Sequence, residues 1–204
     1  MIDHLDTGHL IALAAALGWA SGLRLYAVVF LTGLAGAMGW VTLPLGLQVL
    51  QQPLILWGSG VLLLMEFVAD KLPLVDSMWD AVHTVIRIPA GAALAAGAFG
   101  FDAGQATVLA GLMGGTLAAT SHVAKASTRA AVNTSPEPFS NIGLSLLGDA
   151  AVPTMLWLAW AHPLWFALAL VVAIGVALGL LRLTFKFLRA LIRRFTRNGT
   201  PAAA

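Results

Sequence analysis

Residues 9–40 read HLIALAAALGWASGLRLYAVVFLTGLAGAMGW, a run of 32 positions that is apolar after His9 apart from Ser21, Arg24, Tyr26 and Thr32. A continuous helix of that length would extend about 48 Å at about 1.5 Å per residue, whereas the hydrocarbon core of a bilayer is about 30 Å thick. The excess has two solutions: one long tilted helix, or two shorter pieces parted near Ser21-Gly22 with Arg24 at the break. The broken form is the expectation.

The rest of the chain shares this character. Of its 204 residues 59% are hydrophobic and 10% charged, and the mean hydropathy is +0.89. A soluble domain carries about 45–50% apolar and about 25% charged residues, so too little polar surface is present to clothe a globule in water. That excludes a secreted domain, a nucleic-acid binder and a disordered regulator. The basic excess is local: Arg182, Lys186, Arg189, Arg193, Arg194 and Arg197 are six of the 11 basic residues, leaving five against nine acidic groups upstream. There is no cysteine, which removes disulfides, iron–sulfur clusters and thiol chemistry. The first six residues hold no Lys or Arg, so this segment reads as retained and not as a cleaved signal peptide.

Residues 43–53 carry Pro44, Gly46, Gln48, Gln51 and Gln52 and read as a loop or a short interfacial helix. The span that starts at Leu54 runs into Glu66 and Asp70 and is interrupted at Lys71-Leu72-Pro73, because proline cannot continue the backbone ladder. A second stretch, 76–100, opens on an N-cap-like Asp76-Ser77 and becomes fully apolar after Arg87 and Pro89. From Gln105 a helical pattern runs to about Asn133 and breaks at Thr134-Ser135-Pro136-Glu137-Pro138. The next span, capped by Ser140 or Asn141, holds Asp149 and Pro153, and the last covers 164–181. The result is an all-α integral membrane protein of about six transmembrane helices, some broken or re-entrant. Residues 1–181 form one transmembrane domain and 182–204 a basic tail. The two Pro-broken hairpins leave room for an inverted repeat, the device by which transporters build midplane sites.

Asp76, Asp80, His83 and Arg87 are spaced 4, 3 and 4 apart, which puts them on one stripe of one helix. His122, Lys125, Arg129 and Asn133 make a second, positive stripe, and Glu66 and Asp70 add a carboxylate pair. Ionisable groups in a membrane cost several kcal/mol unless paired or wet, so these stripes are expected to face the bundle interior. One consequence is a neutralising structural network. Another is a polar cavity for a charged substrate, built from Arg24, Glu66, Asp70, Asp76, Asp80, His83, Arg87, His122, Lys125, Arg129, Asn133, Ser135, Glu137, Asn141 and Asp149. In it Lys125, Arg129 and Arg87 would hold an anion, Asp76, Asp80 and Glu66 would balance or relay charge, and His83 or His122 would titrate. Asp76, Asp80 and His83 are also spaced as weak candidates for a divalent metal. No zinc-protease, Walker or nucleophile-elbow motif occurs, so no catalytic residue and no cofactor is expected.

Gly18/Gly22, Gly111/Gly115 and Gly175/Gly179 have the spacing of close helix contacts, within a subunit or in a homo-oligomer. Trp40, Trp157, Trp160 and Trp165 sit near span ends as interfacial anchors. The basic residues of the tail share an amphipathic helix with Leu183, Phe185, Leu188, Leu191, Ile192 and Phe195, which fits anionic lipid headgroups. By the positive-inside rule the tail is cytoplasmic, and six crossings would make the N-terminus cytoplasmic too.

The patterns E-x-x-x-D-K-x-P-x-x-D-x-x-W-D-x-x-H, from Glu66 to His83, and N-T-S-P-E-P, from Asn133 to Pro138, resemble those of a family of small polytopic membrane proteins of bacteria and plants. The family is catalogued as a domain of unknown function. The likeness covers roughly residues 9–182. It implies that these positions are the family's hallmark and implies no activity or substrate. The functional expectation drawn from the residues is a secondary transporter or channel-like permease of the cytoplasmic (inner) membrane. It would carry a small charged, mostly anionic, solute or a lipid headgroup, with proton linkage open. The alternatives are a non-transporting membrane scaffold and a metal-dependent lipid-modifying enzyme.

Overall fold

The computed structural model describes residues 6–72, 74–101, 104–134 and 139–197, the side chains at 188, 191–192 and 194–197 excepted. Their helices are α1 (Thr7–Ala37), α2 (Pro53–Ala69), α3 (Val75–Phe99), α4 (Gln105–Val132), α5 (Phe139–Ala161) and α6 (Pro163–Arg197), with a 3-10 helix at Leu45–Gln51. There is no strand among the described residues. Five helices are long and apolar enough to cross a membrane, and a sixth span results if the 3-10 helix and α2, bent by 71°, count together. The chain is an all-α, multi-pass membrane protein.

Asp6 starts α1 by accepting from the His9 backbone N–H at 2.8 Å, which satisfies one of the orphan donors of a helix N-terminus. At Arg24 the backbone leaves the helical region, with φ −148° and ψ 84°. The break expected near Ser21-Gly22 therefore falls three residues on from Ser21, at the arginine itself. It is also a reversal. Before it, Gly18 packs against the backbone of Gly114, and Gly22 against Ala118 and Ser121, so the first arm runs alongside α4 in the same direction. After it, Gly33 abuts the Leu50 carbonyl, and Gly46 of that 3-10 helix abuts Gly97 near the end of α3. Leu13 and Thr32 line one cavity together with Trp157, although a straight helix would hold them about 28 Å apart. The arms form a helical hairpin with its vertex at Arg24.

Residues 43–53 hold the short helix allowed for in the sequence, with Leu47 and Leu50 buried against α1 and α3 and Leu45 and Val49 exposed. Pro53 at the first turn of α2 fixes the bend, a position where its missing N–H costs nothing. The next helix begins at Val75, after Leu74 in the left-handed region at φ 73°, so Asp76 lies inside its first turn and does not cap it. α3 and α4 pack along their length, whereas α2 barely touches α3 and α5 barely touches α4.

One expectation on topology changes. Asn133, beside the second break, donates to Asp76, beside the first, at 2.9 Å. Both breaks therefore lie at one end of the bundle, and the two hairpins run in the same sense, not inverted. α1 returns to the end at which it began, so its N-terminus lies at the far end. The second half of α6 runs the other way, passing Lys125 and Arg129 through Ala177 and Leu180. The start of α1 and the far end of α6 thus lie at opposite ends of the bundle.

Candidate functional site

The stripe read from sequence faces inward. Asp76, Asp80, His83 and Arg87 are at most 5% exposed, while Met78, Val82 and Val85 on the opposite face of α3 are at least 63% exposed. α3 is a helix with polar groups inside and apolar groups outside, the arrangement that a lipid solvent selects. His122 and Arg129 of α4 are buried against it, and the end of α2 supplies Glu66 and Asp70.

These groups form one connected cluster. Arg87 Nη2 meets Glu66 Oε1 at 2.7 Å and its Nη1 meets Asp80 Oδ1 at 2.6 Å. Asp70 takes three cations: Arg129 at 2.6 Å, Lys125 at 3.1 Å and Arg24 at 3.1 Å. Lys125 and Arg129 also reach Asp80, at 3.3 and 3.4 Å, and Arg129 Nε stands 3.9 Å from Asp76. From the vertex of α1, Arg24 Nη2 lies 2.9 Å from Asp149 and donates to Ser145 Oγ at 2.9 Å. Lys71 closes the edge, 3.2 Å from Asp149 and over the Phe67 ring. Five cations (Arg24, Lys71, Arg87, Lys125, Arg129) face five carboxylates (Glu66, Asp70, Asp76, Asp80, Asp149), so the described cluster is formally neutral. This is the condition under which buried charge is tolerable.

The reversal in α1 is tied into the same cluster. Lys125 Nζ donates to the Leu23 carbonyl at 2.8 Å, and Ser121 Oγ to the Trp19 carbonyl at 2.7 Å. The Leu23 carbonyl stands at the end of the interrupted first arm, where partners within the helix run out, and the Trp19 carbonyl lies one turn before it. His83 Nδ1 is 2.7 Å from the Trp79 carbonyl, so that nitrogen donates, and Nε2 is left to accept from Tyr26 Oη at 3.0 Å. Arg87, which can only donate, faces His122 Nδ1 at 3.2 Å, and His122 Nε2 lies 2.8 Å from Thr84 Oγ1. Each pattern is satisfied by a neutral imidazole, with the tautomers of the two rings opposite.

Beside the cluster lies a cavity of about 310 Å³ between α1, α4, α5 and α6. Arg24, Asp70, Lys125 and Arg129 form part of its wall, with Ser121, Thr128 and Ser145; the remainder is apolar, including Trp19, Leu144 and Leu180.

Of the candidate positions, Arg24, Asp70, Lys125 and Arg129 border this cavity, and Ser145, one turn before the expected cavity residue Asp149, does so unforeseen. Glu66, Asp76, Asp80, His83, Arg87, His122, Asn133 and Asp149 belong to the surrounding network. Asn141 is buried, with neither amide atom hydrogen-bonded. Ser135 and Glu137 lie outside the described residues. Asp76 and Asp80 face cations and share Arg129, whereas His83 turns to Tyr26 and the Trp79 carbonyl; among the described residues no three His, Asp or Glu side chains gather as metal ligands. Arg182, Lys186 and Arg189 are exposed on α6, which runs unbroken past residue 181; Arg193 is exposed as well, and the side chains of Arg194 and Arg197 lie outside the described set. Lys71, Tyr26, Ser121 and Thr128 were absent from the sequence-derived set. Tyr26, the chain's one tyrosine, stood out only as a polar group in an apolar run.

A family model described as "Domain of unknown function (DUF4126)" matches residues 11–183. No curated protein and no solved structure matches the chain.

Proposed function

We propose that this chain, which belongs to the DUF4126 family of domains of unknown function, is a permease of the cytoplasmic membrane for a small anionic solute or a lipid headgroup. The observation that carries this reading is the cavity at the reversal of α1, where Arg24, Lys125 and Arg129 meet a single lining carboxylate, Asp70. Irregular backbone at membrane depth is tolerated where it lines such a space, and interrupted helices there are a recurrent way of handling ions. In this reading the positive-inside rule, applied to the basic stretch of α6, supports a cytoplasmic side for the end with the breaks and the opposite side for the start of α1. His122, between Arg87 and Thr84, is the group through which protons would couple, since a second proton on its ring must displace Arg87.

The test is flux in proteoliposomes, with inorganic phosphate and acetate as soluble probes and a fluorescent short-chain phosphatidylglycerol as the headgroup probe. The reading expects at least one of them to cross faster than in protein-free vesicles. Equality for all three overturns it. A static membrane scaffold is the second reading, and the balance of five cations against five carboxylates favours it.

A further inference from the structure

We propose that the cavity beside Arg24 binds a single-chain anionic amphiphile, its carboxylate or phosphate head on Arg24 and its acyl chain between α5 and α6. The inference deepens the permease reading and rests on it for the site's purpose, though not for its chemistry.

Three observations converge. Arg24 is 2% exposed, and only its Nη2 is bonded within the protein; the Nε and Nη1 donors are buried without a hydrogen-bond partner. Donors left unpaired in a buried setting carry the full desolvation cost, which an arriving anion relieves. Gly148 keeps this face open: a Cβ there would stand 3.5 Å from Arg24 Nε. Thr128 Oγ1, on the same wall, is also unpartnered, although Thr116, Thr120 and Thr154 all bond the carbonyl four residues back. The head end therefore offers free donors from two elements.

The second observation is charge. The whole cluster is neutral, but its cavity wall holds three cations and one carboxylate, a local excess that attracts an anion.

The third is shape. Away from Arg24 the wall is Leu144, Leu147, Ala173, Val176 and Leu180, and it ends at side chains facing outward, Leu147 at 67% and Val176 at 56% exposure. A soluble anion has no use for this apolar wall. A chain entering sideways from the bilayer does, and each buried methylene adds to binding. The 310 Å³ volume lies at the lower end of ligand pockets, about 300–1,000 Å³, which suits one chain better than two.

The experiment is native mass spectrometry of the detergent-solubilised full chain with three probes: oleate, lysophosphatidylglycerol and inorganic phosphate. Folding of every variant is checked by thermal melting. Two variants leave the ion pairs intact: Gly148→Ala, which covers Arg24 Nε, and Ala177→Phe, which fills the channel from α6. The expected result is one amphiphile per chain and affinity weaker by roughly tenfold or more in both folded variants, as loss of a head contact or of chain space implies. Brominated stearate should quench Trp19, a lining residue, in a variant whose other tryptophans are phenylalanine. Should that variant not fold, the mass-spectrometric comparison decides alone. No bound amphiphile, unchanged affinity in both variants, or phosphate bound as tightly as oleate overturns the proposal. Amphiphile binding without flux would overturn the permease reading and leave this site standing; flux of phosphate without amphiphile binding would do the reverse.

Discussion

Asp70→Asn perturbs the charge cluster at its most connected point. The carboxylate is fully buried and shared by Arg129, Lys125 and Arg24 at 2.6, 3.1 and 3.1 Å. The amide preserves shape and one acceptor oxygen but leaves five cations against four carboxylates. Removing one partner of a buried pair costs about 3–5 kcal/mol, because the other charge stays buried without compensation. Three cations lose their common partner at once, which puts Asp70→Asn near the top of that range, about 5 kcal/mol. Asp149→Asn is the internal comparison: its side chain is 22% exposed and its partner Lys71 23%, while its buried partner Arg24 keeps Asp70 at 3.1 Å, so water and the remaining carboxylate replace part of what is lost and about 1–2 kcal/mol follows. Unfolding in mixed micelles by titration with sodium dodecyl sulfate, followed by tryptophan fluorescence, measures both variants against the parent. A loss below about 1 kcal/mol for Asp70→Asn, or a larger loss for Asp149→Asn, would refute the reasoning that the cluster is a dry, mutually dependent network.

Gly18→Ala should lower the melting temperature, by a destabilisation of about 1–3 kcal/mol, because its Cβ would overlap the Gly114 backbone, whereas Gly143→Ala, with open space around it, should be neutral; thermal melts in detergent compare the two. Lys125→Met should cost about 3–5 kcal/mol by leaving Asp70 short of a cation and the Leu23 carbonyl without its donor. Combined with Asp70→Asn, its loss should fall short of the sum by about 0.5–3 kcal/mol in the same unfolding assay. With no native cysteine, Thr7→Cys and Arg189→Cys offer a clean test of topology: an impermeant thiol reagent applied to sealed vesicles should label them from opposite sides, and labelling from the same side would contradict the reversal at Arg24.

How much of this was legible depended on whether the information was local. The inward stripe on α3 could be read because Asp76, Asp80, His83 and Arg87 repeat with the helical period, and an apolar solvent leaves such a stripe one place to go. The interruption of α1 showed as an arginine inside an overlong apolar run. Its direction did not. Whether the chain continues or turns back is decided by what meets it, namely Gly114 before the break and Leu50 after it, far away in sequence. The sense of the two hairpins was illegible for the same reason, resting on Asn133 reaching Asp76. Ser145 is an ordinary helix serine by pattern; only Arg24, 121 residues away, gives it a role. The cavity, too, exists because α4 and α5 diverge, and no periodicity encodes that divergence.

The measurement that bears most directly on the permease reading pairs flux with neutralisation at the cavity. Arg24→Gln with Asp149→Asn removes one cation and one carboxylate that meet at 2.9 Å, so the net charge of the cluster stays zero and the protein should still fold. In proteoliposomes the account predicts flux of the probe that the parent carries and its loss in this folded double variant. Flux retained by the double variant, or absent from the parent, would contradict it and leave the cluster as the core of a static scaffold.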